Sequence, residues 1–245
     1  MISTSFIKFL FVVVSILCFR APTSAQTFLE IIAELKTILE TTENTQYRVD
    51  ILNDISYTYR RIEPDSTAHY ALLAIAQAEK KAYKKGIGEG RKNLGLAYLK
   101  KSLPLDTALA EFEIALELGN QLNNPYLIAA AYGNMGVAYL TVEQIGKARI
   151  ALQKGLVQTE KTFERSESVK ALLLSALAYT YFIGDDSETA VKYFEESMSL
   201  ARKYNDRATL SIWLVTYVKI LYKYGDKKKG FALIEEATQF HISLG

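Results

Sequence analysis

Along most of the chain, apolar residues recur at spacings of three and four, in stripes a few turns long separated by short polar segments. That rhythm predicts amphipathic α-helices and gives no support to the alternation of two expected of strands. The punctuation is of two kinds. Within pairs of stripes lie Glu63-Pro64-Asp65-Ser66, Pro104-Leu105-Asp106, Gly184-Asp185-Asp186 and Gly225-Asp226; between pairs lie Gly86, Asn123-Asn124-Pro125 and Asn205-Asp206. Asn124 before Pro125 is a helix start: the amide oxygen caps free N–H groups while proline presets the first helical φ.

The pairs repeat. Asn93-Leu94-Gly95-Leu96-Ala97-Tyr98 reads like Asn134-Met135-Gly136-Val137-Ala138-Tyr139, 41 residues on, and like Ala176-Leu177-Ala178-Tyr179-Thr180-Tyr181 after a further 42. Asn53 to Tyr59 keeps the pattern upstream, and Tyr217 to Leu221 is a weaker copy downstream. A second pattern follows each first one, most clearly Ala108, Phe112, Ala115 and Leu116, and it places a small residue at Ala74, Ala115, Gly155, Ser197 and Ala237. Small residues are needed where two helices cross closely, which also accounts for Gly95 and Gly136 in helix interiors, where glycine otherwise costs about 1 kcal/mol. One more amphipathic stripe, Phe28, Ile31, Ile32, Leu35, Ile38 and Leu39, precedes the first unit as an N-terminal cap at 26–44.

The leucine-glycine-tyrosine pattern (Leu94, Gly95, Tyr98; Met135, Gly136, Tyr139) followed by alanine, aromatic and alanine (Ala108, Phe112, Ala115) resembles the tetratricopeptide repeat family over about residues 45–240. The resemblance implies an all-α fold: a right-handed superhelical solenoid of antiparallel helix pairs, about eleven helices after a signal peptide. Five units are expected, at about 45–85, 86–123, 124–164, 165–205 and 206–240 within a repeat region of 45–245. The period near 40 exceeds the family's usual 34, so the helices are longer, and Val218 replaces a small residue in the fifth unit. Long-period arrays of this kind look like extracytoplasmic sensor regions of bacterial signalling proteins and like peptide-binding bacterial regulators.

Composition narrows the reading further. With 49% hydrophobic and 23% charged residues the chain is a folded one. Met1 to Lys8 carries one positive side chain, Phe9 to Phe19 is apolar except for Ser15, and Ala21-Pro22-Thr23-Ser24-Ala25 supplies small residues for a cut after Ala25. Residues 1–25 are therefore expected to be a secretory signal peptide, with an uncleaved anchor as the alternative suggested by Arg20 behind the core. Leu17 before Cys18 is too bulky for lipoprotein processing. Lys8 and Arg20 lie in this leader, so the 29 basic residues of the chain fall to 27, against 27 acidic ones. A neutral mature chain lacks the basic footprint of nucleic-acid binding, and with Cys18 gone it has no thiol. The expected location is the bacterial envelope or beyond, with no membrane span after cleavage.

Catalytic candidates are few. Gly86-Ile87-Gly88-Glu89-Gly90 has no preceding strand and the wrong spacing for a dinucleotide fingerprint, and reads as an inter-unit turn. His69 and His241 stand apart from any acidic or cysteine cluster, so neither a metal nor a cofactor is expected. Lys227-Lys228-Lys229 reads as a solvated turn, and Glu195-Glu196 and Glu235-Glu236 as solvent faces. Binding is the expected role: the resemblance puts the first helix of each unit on the concave wall. Its groove positions carry over to Asp50, Asn53, Tyr57 and Arg60; to Glu89, Lys92, Asn93, Leu96 and Leu99; to Ala130, Asn134, Val137 and Leu140; and to Leu172, Ser175, Tyr179, Phe182 and Ile183. Asn93 and Asn134 match the asparagine that family members use to grip a peptide backbone, or else bond neighbouring helices. Leu96 stands where the family's carboxylate clamp needs an asparagine, which disfavours that partner. The expected function is an exported, non-catalytic scaffold that binds a protein or peptide; the alternative is a small-molecule sensor with an apolar pocket near Leu172, Tyr179, Phe182 and Ile183.

Overall fold

The structure, a computed structural model, describes residues 24–161, 166–204, 207–224 and 226–242. Nearly all of the expected leader, the Asn205-Asp206 turn and the side chains of Glu236, Ala237 and His241 lie outside the described residues. Eleven helices and no strand are present among those described: α1 Ser24–Thr41, α2 Thr45–Tyr59, α3 Pro64–Glu79, α4 Lys84–Lys100, α5 Leu105–Gln121, α6 Pro125–Thr141, α7 Ile145–Gln158, α8 Ser166–Ile183, α9 Ser187–Lys203, α10 Arg207–Tyr224 and α11 Lys227–Ile242. None of them is long and apolar enough to cross a membrane.

The helices start and stop for local reasons. Side-chain oxygens of Asn44, Asn124 and Asp186 accept from the N–H groups of Tyr47, Leu127 and Thr189 at 3.0–3.1 Å, meeting donors that a helix start leaves unpaired. Asn124→Ala is expected to lower the chain's stability by about 1 kcal/mol, read as a lower urea midpoint at unchanged slope. Five of the helix ends share one device. Ala82, Ser102, Asn123, Glu143 and Asp185 all have positive φ, between 48° and 59°. In each case the next residue's N–H (Tyr83, Leu103, Asn124, Gln144, Asp186) donates to a carbonyl five positions back. This is the left-handed helix cap with its wide closing hydrogen bond, used alike within and between units, and made here without glycine.

Each helix packs on its neighbours in chain order, and the first helices of successive units also touch: α2 with α4, α4 with α6, α6 with α8, α8 with α10. The second helices make no comparable contact among the described residues. The first helices therefore crowd along the inner wall, and α3, α5, α7 and α9 splay on the outside. Close crossings use the small residues. A Cβ on Gly95 would fall 2.5 Å from the Phe112 ring, and one on Gly136 2.6 Å from Leu152 Cγ. Ala74 and Ala115 are fully buried, and in the fourth unit the Ser197 hydroxyl donates to the Ala171 carbonyl. In the last described units, Phe194 stacks on Tyr217 at 5.5 Å with Trp213, Tyr179 and Phe182 around them. Ile32 of α1 is buried against Ile51 and Ile55 and shelters the first unit, as a cap must in a repeat array.

The glycine-rich segment departs from its expected role. Gly86, Gly88 and Gly90 are not a turn but lie in the first two turns of α4, and all three are buried. A Cβ on each would fall 2.5–2.6 Å from Val49 of α2, Leu127 of α6 and Ile75 of α3, respectively. Three neighbours close on one helix end, and only glycine leaves them room.

Candidate binding groove

The inner wall opens into two adjoining cavities. The larger, of about 420 Å³, is lined by Asp50, Asn53, Asp54 and Tyr57 from α2, Lys85, Glu89, Lys92 and Asn93 from α4, and Asn124 and Tyr126 at the start of α6. The α2 residues fall at i, i+3, i+4 and i+7, and those of α4 at i, i+4, i+7 and i+8, so each set is one stripe. The smaller cavity, of about 80 Å³, has small and apolar walls, among them Ala130, Gly133, Val137, Leu172 and Ala176, with Asn134 beside them. Tyr57, Lys92 and Tyr126 border both. They are the partition between a polar and an apolar chamber.

The partition is a stack of cations and rings. The Arg60 guanidinium lies 3.4 Å from the centre of the Tyr57 ring. The Lys92 ammonium sits on the rings of Tyr57 and Tyr126 at 5.2 and 5.1 Å. It also pairs with the Glu89 carboxylate and donates to the Tyr126 hydroxyl at 3.3 Å. Only 3% of Lys92 is exposed. Burial pulls its pKa down, but the Glu89 carboxylate, with Tyr126 and Tyr57, outweighs burial and leaves it above the ordinary lysine value. Burial draws the Arg60 guanidinium the other way, against the Tyr57 ring that favours its charge. At the back of the larger cavity, the Tyr83 hydroxyl donates to Asp50 at 2.9 Å, and burial first, then this carboxylate, raises the phenol's pKa.

The sequence-derived wall is only partly assembled here. Asn53, Tyr57, Lys92 and Asn93 meet in the larger cavity; Tyr57, Lys92, Asn134 and Val137 border the smaller. Arg60 reaches the wall through Tyr57. Asn53 and Asn93 serve the structure: the Asn53 amide donates to the Gly86 carbonyl and the Asn93 amide to the Asn53 carbonyl, both at 3.0 Å, stapling α2 to α4. Three residues are placed elsewhere. Ser175 is fully buried, its hydroxyl bonded to the Ala171 carbonyl and to Ser197 at the crossing of α8 and α9. Leu96 packs on the core around Phe112. Tyr179 packs between Phe182 and Trp213. Of the apolar run near it, Leu172 borders the smaller cavity.

Asp54, Lys85 and Tyr126 were absent from the sequence-derived wall. Each lies four residues from a residue that was in it: Asp50, Glu89 and Ala130. Extending the α4 and α6 stripes by one helical turn reaches Lys85 and Tyr126, and Asp54 fills the i+4 place inside the α2 stripe.

No family model matches the chain. A segment of 117 residues is 28% identical to response regulator aspartate phosphatase A of Bacillus subtilis (strain 168); it is 48% of this chain and 30% of that protein, so the match spans under a third of the relative. Among solved structures, a Rap protein complexed with competence and sporulation factor superposes with a TM-score of 0.67 at 16% identity, covering 90% of this chain and 72% of that one. The apo form of the quorum sensor NprR of B. thuringiensis gives 0.63 at 18% identity, over 90% and 59%. At these identities the likeness is one of fold: the chain is a tetratricopeptide-like helical repeat solenoid.

Proposed function

We propose that the chain is an exported, non-catalytic scaffold whose concave groove binds an extended peptide or protein segment. One observation carries this reading. The half-buried amide of Asn134 has no partner among the described residues, and it stands on the wall of the apolar cavity beside the Lys92 partition. A peptide backbone there gains the amide's donor and acceptor together, while its side chains meet a polar chamber on one side and an apolar one on the other. The Rap structure named above holds a factor, which supports the same use of a similar fold. The composition of residues 1–25 supports export.

The geometry is less favourable to a carrier of apolar small molecules. The apolar chamber is about 80 Å³, far below the roughly 300–1,000 Å³ of ligand pockets, and the roomier chamber is polar.

Site-specific photocrosslinking in intact cells tests the groove. A crosslinker at Val137 on the inner wall is expected to capture a discrete partner, identified by mass spectrometry; one at Ile150, exposed on the outer helix α7, is not. Equal capture from both positions would overturn the assignment of the groove.

A further inference from the structure

Past the partition the inner wall changes character. The first helices of successive units touch along the wall, and their C-terminal halves, residues 55–60, 93–100, 134–141 and 175–183, contain no carboxylate. The two charges in those halves are Arg60 and Lys100. Arg60 continues the α2 stripe, three residues on from Tyr57, and its guanidinium lies over the Tyr57 ring that borders both chambers. One of its N–H groups donates to the Tyr57 carbonyl at 2.6 Å, a common task for a basic residue at a helix end. Most of a five-donor fork is left over. Its other nitrogens have no hydrogen-bond partner among the described residues, and none of them is sealed from solvent. No described carboxylate pairs with Arg60, whereas Arg91 of α4 is held between Glu79 and Glu111. The acids of the turn that follows α2 are engaged: Glu63 accepts from the Ser66 hydroxyl, and Asp65 pairs with Lys101. Burial lowers the pKa of Arg60 and the neighbouring Arg61 adds to that; the phenols of Tyr57 and Tyr126 act the other way. A half-buried guanidinium without a counter-charge is a costly arrangement that an incoming anion would relieve.

We infer that Arg60 receives a carboxylate of the bound chain, from an acidic side chain or from the chain's C-terminus. The inference rests on the groove reading above and specifies its ligand. A planar fork with free donors takes a carboxylate through two parallel hydrogen bonds, and no existing ion pair has to break. A cation in this part of the wall would meet Arg60, Arg61 and Lys100 with no carboxylate to offset them. The contact differs from the family's clamp, in which Leu96 takes the place of an asparagine: here one guanidinium is the whole site.

The test uses the full chain and hexapeptide pools that carry an uncharged fluorophore on an acylated N-terminus. One position is fixed as Glu, Gln or Lys and the others are drawn from Ala, Val, Ser and Gly. Each pool is made as a C-terminal acid and as an amide, and binding is read by fluorescence anisotropy. Among the amides, Glu pools are expected to bind at least about tenfold more tightly than Gln or Lys pools, about 1.4 kcal/mol. A preference conferred only by the free C-terminus assigns the carboxylate to the chain end and supports the same chemistry. Arg60→Gln is expected to bring the ratio near one, and Arg60→Lys, which keeps the charge without the fork, to leave an intermediate ratio. Arg61→Gln removes the same charge one residue on and is expected to keep the preference. Equal losses from Arg60→Gln and Arg61→Gln would reduce the site to a general field and overturn the inference. Gln pools that bind and lose affinity with Val137→Glu, with no preference for either kind of carboxylate, would overturn it and leave the groove intact. Binding of no pool would remove both. Thermal melts show which variants are folded; should Arg60→Gln not be, Arg60→Lys and the native ratios decide.

Discussion

Gly136→Leu is expected to destabilise the chain by about 3 kcal/mol or more, at the upper end of what overpacking costs. For a chain of this size that is a fall in melting temperature of about 2–4 °C per kcal/mol. The site leaves no easy relaxation. A Cβ alone would fall 2.6 Å from Leu152 Cγ, 2.7 Å from Leu152 Cδ2 and 3.3 Å from the Ala148 carbonyl. Leu152 and Ala148 are fully buried, so α6 and α7 would have to separate, and their crossing is the centre of the third unit. Units either side depend on that pair for cover, because stability in such arrays is a sum of unit and interface contributions. Gly146, near the start of α7, is the control, since nothing lies within 4 Å of a Cβ placed there. Gly146→Ala is expected to be neutral or to stabilise by up to about 1 kcal/mol. Parallel thermal melts decide it: an unchanged midpoint for Gly136→Leu would mean that the helices do not cross there.

That contrast between glycines also shows what was legible in the sequence. The repeat was legible because burial is periodic: Phe112, Phe194 and the small residues facing them recur at fixed spacing, and each crossing needs both members. The inter-unit turn was misplaced because glycine is the usual signal for a left-handed helix end, whereas Ala82, Ser102, Asn123, Glu143 and Asp185 take that conformation without it. Real turns were thus marked by weaker polar punctuation, while the glycines of α4 were free to meet a packing demand that looks identical in one dimension. The candidate site divides in the same way. Helical spacing puts Asn53 and Tyr57 on one stripe, and the resemblance to the repeat family adds Lys92 to the same wall. What spacing cannot give is depth: whether Ser175 or Tyr179 faces the groove or the next helix depends on the angle between α8 and its neighbours. The Lys92 partition was invisible for the same reason, as Glu89 is one turn away in sequence while Tyr57 and Tyr126 come from other units.

Glu89→Gln tests that partition most severely. In the native chain the Lys92 ammonium, with 4% of its side chain exposed, is neutralised by Glu89. Removing the carboxylate leaves a buried charge with two rings for company, which recover about 0.5–2 kcal/mol of a loss expected near 3 kcal/mol at neutral pH. The pH dependence gives the signature. The native Lys92 pKa is raised, so its contribution is complete below the unfolded lysine value of about 10.4 and is lost as pH climbs through the folded value. In Glu89→Gln, burial prevails and the folded pKa drops below the unfolded one. The folded state then binds fewer protons than the unfolded between those values, so stability rises with pH over that interval. Urea midpoints measured from pH 7 to 10 should therefore be level for the native chain and climb for the variant. A double variant, Lys92→Met with Glu89→Leu, is expected to regain much of the loss, because a buried pair replaced by apolar groups of similar volume is often close to neutral. Glu89→Gln melting like the native chain at every pH would show that the Lys92 ammonium reaches water, and the two chambers would then be one.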